Sequence, residues 1–103
     1  MSVIVVATVR PRPEQRAEVI AALEKAIEQT HAQDAGCLLY ALHQAPDQLV
    51  MIEKWADEAA LDAHSRGEAV AELNAGLDGK LTAALDVLRL APHPAGTAQQ
   101  GTL

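Results

Sequence analysis

LVMIEKWADEAALDAH, residues 49–64, decides the reading of this 103-residue chain. Its first half, LVMIEKW, is apolar and β-branched as a strand requires, and DEAALDAH then changes to helical spacing. Asp57 stands at the change, where a carboxylate accepts the free backbone N–H groups of a starting helix. The stretch carries the only Trp, Trp55, with Glu53 two residues before it and His64 nine after. Side chains alternate along a strand, so Glu53 and Trp55 share a face. His64 follows Leu61 by three residues, which puts both on one helical stripe turned to the core.

Working outward, CLLYALH (37–43) precedes the stretch across QAPDQ, whose Pro46-Asp47 pair is turn chemistry, and the two strands form an antiparallel hairpin. VIVVATV (3–9) predicts a first strand covered on both faces, ended by RPRP. Pro13 suits the first position of a helix, with Glu14 near its positive end. Val19, Ile20, Leu23 and Ile27 recur at helical spacing, while Arg16, Glu24, Lys25 and Glu28 lie outside. After His64, Ser65, Arg66 and Gly67 interrupt the helix before GEAVAELNAGL continues it. LDVLRLA (85–91) is the last strand. The order strand, helix, strand, strand, helix, strand predicts an α+β, ferredoxin-like βαββαβ domain over 1–91. Residues 92–103, beginning PHPAGTAQQ, lack apolar periodicity and read as a flexible C-terminal tail.

Composition narrows the function. A net charge of −6 with eight scattered basic residues argues against nucleic acid, which demands clustered Lys and Arg. One cysteine, Cys37, cannot form an internal disulfide and favours a reducing cytoplasm; at the start of a strand it reads as buried and inert. The first apolar run is too short to span a membrane and has no basic segment before it. No HxH, HExxH or carboxylate–histidine cluster appears, so no metal site is expected. The two aromatic residues, Trp55 and Tyr40, leave the core to small aliphatic side chains, and the free sheet face calls for a second copy, a two-fold homodimer.

These residues carry a family likeness. VIVVATVRPRPEQ at the first strand–helix junction, GCLLY at 36–40, and Glu53-x-Trp55 followed by DEAALDAH resemble the antibiotic biosynthesis monooxygenase family over roughly residues 2 to 91. The resemblance implies the dimeric α/β-barrel architecture and a cavity between sheet and helices. It implies an oxidation of phenolic, quinol or anthrone-like aromatics by O2, with no metal and no bound cofactor. Haem-degrading relatives place an Asn on the first strand; VIVVATV has none. RGEAVAEL, after His64, lacks the aromatic residues of many members, so the substrate's shape stays open.

Two roles stand for each candidate. Trp55 is either a plug at the sheet end or a flat wall for an aromatic substrate. His64 is either a hydrogen-bonded core residue or a base facing the cavity, able to take a phenolic proton. Glu53 orients His64, pairs with a basic residue, or is an interface or surface charge. Tyr40 donates to a substrate oxygen if it shares the face of Trp55, which one residue of hairpin slip reverses. Asn74 is expected to face solvent, and His31 to stand by the negative end of the first helix. The alternative to an enzyme is a non-catalytic dimeric module binding a small ligand on the same fold.

Overall fold

The computed structural model describes Met1–Leu103. Four strands, β1 (Val3–Val9), β2 (Cys37–Gln44), β3 (Leu49–Trp55) and β4 (Asp86–Leu90), form one sheet in the order β2-β3-β1-β4. All three pairings are antiparallel. Helices α1 (Arg16–Gln33), α2 (Glu58–Ser65) and α3 (Glu68–Leu77) complete a ferredoxin-like α+β domain. No helix is long and apolar enough to cross a membrane.

The local signals work as their chemistry demands. Pro13 opens a short 3-10 turn, Pro13–Gln15, which runs straight into α1. Asp57 caps α2, its Oδ1 accepting the Ala60 N–H at 2.8 Å. In α1 the buried stripe is Val19, Leu23, Ala26 and Thr30, with Ile20 and Ile27 only half-buried. The stripe is therefore turned from the one the bulky residues suggest, because small Ala26 and Thr30 let the helix sit close on its neighbours.

Register sorts the sheet into two faces. Tyr40 pairs with Glu53, Glu53 with Val5, and Val5 with Arg89, so these four cross the helix-facing side as one row. Leu42, Met51, Ala7 and Val87 form the next row on that side. The core of Val3, Val5, Val9, Leu23, Leu49, Met51 and Trp55 lies here, under α1 and α2. The hairpin register is set at the turn, where Gln44 faces Leu49, and runs unbroken to Leu39 facing Lys54; a shift follows only beyond it, where Cys37 faces Trp55. Leu38 is the extra residue, 57 % exposed. The unbroken pairing from the turn to Tyr40 and Glu53 settles the question the hairpin sequence leaves open, and Tyr40, Glu53 and Trp55 share one face.

The opposite face is mostly aliphatic, with Leu39, Ala41, Val50, Ile52, Val6, Leu88 and Leu90, and carries Lys54 near one end and His43, Thr8 and Asp86 near the other. Leu88 and Leu90 are 55 % and 41 % exposed. Cover on both sides of β1 is thus only partial within one chain, with Val6 and Thr8 half-buried. The chain end returns to this face, where Lys54 Nζ donates to the Leu103 carbonyl beside Ile4. One exposed hydrogen bond of this kind contributes about 1 kcal/mol. A chain lacking residues 93–103 is therefore expected to melt within roughly 4–8 °C of the full chain, read by calorimetry.

Candidate active site

A cavity of about 160 Å³ lies between the helix-facing side of the sheet and the three helices. Its walls are mostly aliphatic, from β1, β3, α2 and α3, and its polar groups fall in two places. Tyr40, Glu53 and His64 stand together at the β2–β3 side. Ser65, Asn74 and Arg89 are exposed and mark the mouth, beside Val87, which is 57 % exposed.

His64 is brought there by two sequence decisions. Asp57 starts α2 two residues after the strand ends, and Gly36 lets the helix approach. A Cβ at residue 36 would stand 2.4 Å from that of Ala60, a separation real atoms do not adopt. His64 is 6 % exposed and lies in the cavity wall. Its Nδ1 lies 2.8 Å from Asp34 Oδ2, at the C-terminal end of α1. A carboxylate only accepts, so Nδ1 carries the proton and donates, which leaves the Nε2 lone pair free. Nε2 has no protein hydrogen bond.

Trp55 is placed otherwise than a stacking wall requires. It is 0 % exposed and does not line the cavity, because the strand end where it sits is closed by α2. Its ring instead backs the imidazole, with centroids 4.4 Å apart at 35°, and lies 6.1 Å from Tyr40. Its indole Nε1 donates to Glu53 Oε1 at 2.9 Å. Glu53 is therefore neither a surface charge nor the partner that orients His64; it is 6 % exposed and tied to Trp55. Tyr40 is 4 % exposed and meets His64 edge-on at 5.2 Å.

Electrostatics follow burial. Desolvation pushes the Glu53 carboxyl above its usual range, against the smaller opposing pull of the Trp55 N–H and His64. Burial, with Glu53 adding to it, holds the Tyr40 phenol protonated well beyond its ordinary range. Cys37 is half-buried, not buried, and burial followed by Asp34 and Glu53 pushes its thiol up, which makes it a poor nucleophile. His31 Nε2 lies 3.0 Å from the Tyr40 carbonyl, an anchor between α1 and β2. Asn74 is solvent-exposed, as expected, yet also reaches the cavity mouth.

Two positions of the candidate site escape a sequence reading. Asp34 stands in QDAG, which signals a helix end, and nothing in its spacing from His64, thirty residues on, marks a pair. Arg89 lies within the apolar strand LDVLRLA, and that interruption is the available signal. Its guanidinium bridges to Glu58 at 2.9 Å and Asp62 at 3.6 Å, fastening β4 to α2 at the cavity mouth.

Comparison with known proteins bears on this architecture directly. Residues 2–76, from the first strand into the third helix, match the antibiotic biosynthesis monooxygenase family. The chain belongs to this family. A relative is the candidate monooxygenase Rv0793 of Mycobacterium tuberculosis, 35 % identical over 92 residues, covering 87 % of this chain and 90 % of the relative. The solved structure of Rv0793 superposes with a TM-score of 0.86 at 29 % identity, over 94 % of this chain and 100 % of that one. A conserved protein from Methanosarcina mazei Go1 gives a TM-score of 0.81 at 29 % identity, over 87 % and 91 % of the two chains. A candidate antibiotic biosynthesis monooxygenase from Caulobacter crescentus CB15, at 23 % identity and TM-score 0.82 over 86 % and 87 %, shares the fold. The family match spans the strands and helices that carry Asp34, Tyr40, Glu53, Trp55 and His64, and leaves β4 with Arg89 beyond it.

Proposed function

We propose that this family member is a monooxygenase that oxidises a small, uncharged phenolic, quinol or anthrone-like aromatic with O2 in a reducing cytoplasm. The observation that carries the reading is the Asp34–His64 pair, 2.8 Å apart, presenting an imidazole to an aliphatic cavity. Asp34 holds the tautomer, and Nε2 takes the phenolic or enolic proton. The resulting anion is electron-rich, and aliphatic walls keep water from stabilising it, so its electrons pass to O2. Trp55 is not a wall for the substrate in this scheme. It backs His64 within reach of a cation–π attraction, which favours the imidazolium formed by proton transfer.

Size and charge support the substrate class. A cavity of about 150 Å³ accommodates a benzene ring, so this one takes a first ring beside Tyr40 and passes further rings toward Asn74 and Val87. The charge of Arg89 is engaged by Glu58 and Asp62, and the inner end holds a carboxyl, so an anionic substrate finds no free cation.

The deciding measurement is oxygen consumption with a panel of one- to three-ring quinols and anthrones. Uptake that depends on the aromatic supports the enzyme. Saturable binding of panel members without uptake by any of them turns the reading toward a ligand-binding module. The aliphatic outer sheet face further supports a homodimer. Light scattering at micromolar protein is expected to return twice the 10.9 kDa chain mass.

A further inference from the structure

We infer that Glu53 is the second proton carrier of the site, donating to the peroxide formed on the substrate and then receiving the substrate's second C–H proton. The inference rests on the monooxygenase reading and adds what a single base leaves undone.

Converting a ring CH2 to C=O releases two protons from carbon, and both oxygens of O2 must be accounted for, one in the carbonyl and one in water. His64 Nε2 takes the first proton, and the carbanion or enolate passes two electrons to O2, forming a C–O bond and a peroxide anion. If the imidazolium protonates that anion at once, nothing remains to protonate the departing oxygen when the O–O bond breaks. A second donor removes this conflict. Glu53 protonates the peroxide, and its carboxylate then removes the second C–H proton. That electron pair forms the C=O bond, the O–O bond breaks, and hydroxide leaves with the proton of His64 as water. Both residues return to their starting states, and the sum is CH2 + O2 → C=O + H2O.

The geometry places Glu53 for this role. It is one of three buried titratable groups at the inner end of the cavity, in the row beside Tyr40, whose phenol burial keeps protonated, and on the wall with His64. Only one of its oxygens is engaged: Oε1 accepts the Trp55 N–H at 2.9 Å, and Oε2 has no protein partner. The indole thus fixes the carboxyl while leaving its other oxygen for a ligand. Oε2 is not one of the buried unpartnered oxygens, so it keeps accessible surface through which a ligand can reach it.

The neighbours allow it to hold a proton. Facing it are His64 from α2, Tyr40 and Cys37 from β2, and Asp34 at the end of α1, while α3 brings the uncharged Asn74 to the cavity. Arg89 of β4 lies two strands away, ~10 Å by the usual strand spacing, and is held by Glu58 and Asp62. The burial that pushes the carboxyl up is therefore opposed only by Trp55 and His64.

The test is Glu53→Gln, which keeps the shape and the carbonyl oxygen that Trp55 needs but cannot carry the proton. On the panel quinol or anthrone that the parent turns over fastest, kcat is expected to fall by about 10²-fold or more, with KM little changed. The parent's activity should decline as pH rises through the raised carboxyl range, and the variant should lose that alkaline limb. Anaerobic binding of 4-nitrophenol separates the steps. Its phenolate band should develop in Glu53→Gln as in the parent, and be lost in His64→Ala. A folded Glu53→Gln protein with parental kcat and pH profile overturns the inference and leaves the monooxygenase reading standing. A parent inactive on the whole panel overturns both. Should Glu53→Gln not fold, Glu53→Asp decides: a displaced alkaline limb with reduced kcat supports the role, and an unmoved profile refutes it.

Discussion

Replacing His64 by alanine is expected to leave a folded protein whose turnover of any quinol or anthrone oxidised by the parent falls by about 10²-fold or more. The activity loss follows from removing the one imidazole whose Nε2 is free in the cavity wall. The fold survives because the partner left behind is not stranded. Asp34 is 29 % exposed at its side chain, so water can replace the lost N–H, and the cost stays at the low end of about 1–3 kcal/mol. Asp34→Asn should mimic part of the effect, since an amide in that position no longer imposes the Nδ1–H tautomer. Oxygen uptake and thermal melting of the same preparations check both statements. A His64→Ala protein that is folded and turns over at the parental rate would remove His64 from the mechanism.

Trp55→Ala is expected to be the most destabilising single change in the chain, by about 3–5 kcal/mol. Trp55 is the largest fully buried side chain, 0 % exposed, in a core otherwise built from Val, Leu, Met and Tyr. Its loss opens a cavity beneath α2 and also deprives Glu53 Oε1 of its only donor. A domain of this size has a total stability of roughly 5–15 kcal/mol, so the variant should melt at least about 15 °C lower. Chemical denaturation of parent and variant measures the difference directly. A loss under about 1 kcal/mol would mean the site had collapsed around the smaller residue. Trp55→Phe keeps a ring behind His64 and most of the volume, so it should cost less while still cutting the tie to Glu53.

Much of this molecule is legible along the chain, because the determining interactions are local. The alternation of LVMIEKW puts Glu53 and Trp55 on one face, the Asp57 carboxylate starts α2, and three residues of helix carry the core side from Leu61 to His64. Those are backbone hydrogen bonds and side-chain periodicities, with ranges of one to four residues. From them follow the element order and with it the ferredoxin-like topology.

What only the tertiary structure decided depends on contacts between distant segments. The hairpin closes with Gln44 opposite Leu49, and that register carries Tyr40 to Glu53 on the helix-facing side; a slip of one residue would turn the phenol to the opposite face. Asp34 and His64 are thirty residues apart and meet because Gly36 lets α2 pack against the end of α1. Trp55 reads equally well as wall or plug until α2 is seen closing over it. Arg89 reaches the cavity mouth because β4 pairs with β1 and sets Arg89 across from Val5, beside the carboxylates of α2. A sequence fixes which groups are available within a few residues, whereas which of them face one another is decided by packing, where a one-residue shift or a missing Cβ reverses the outcome.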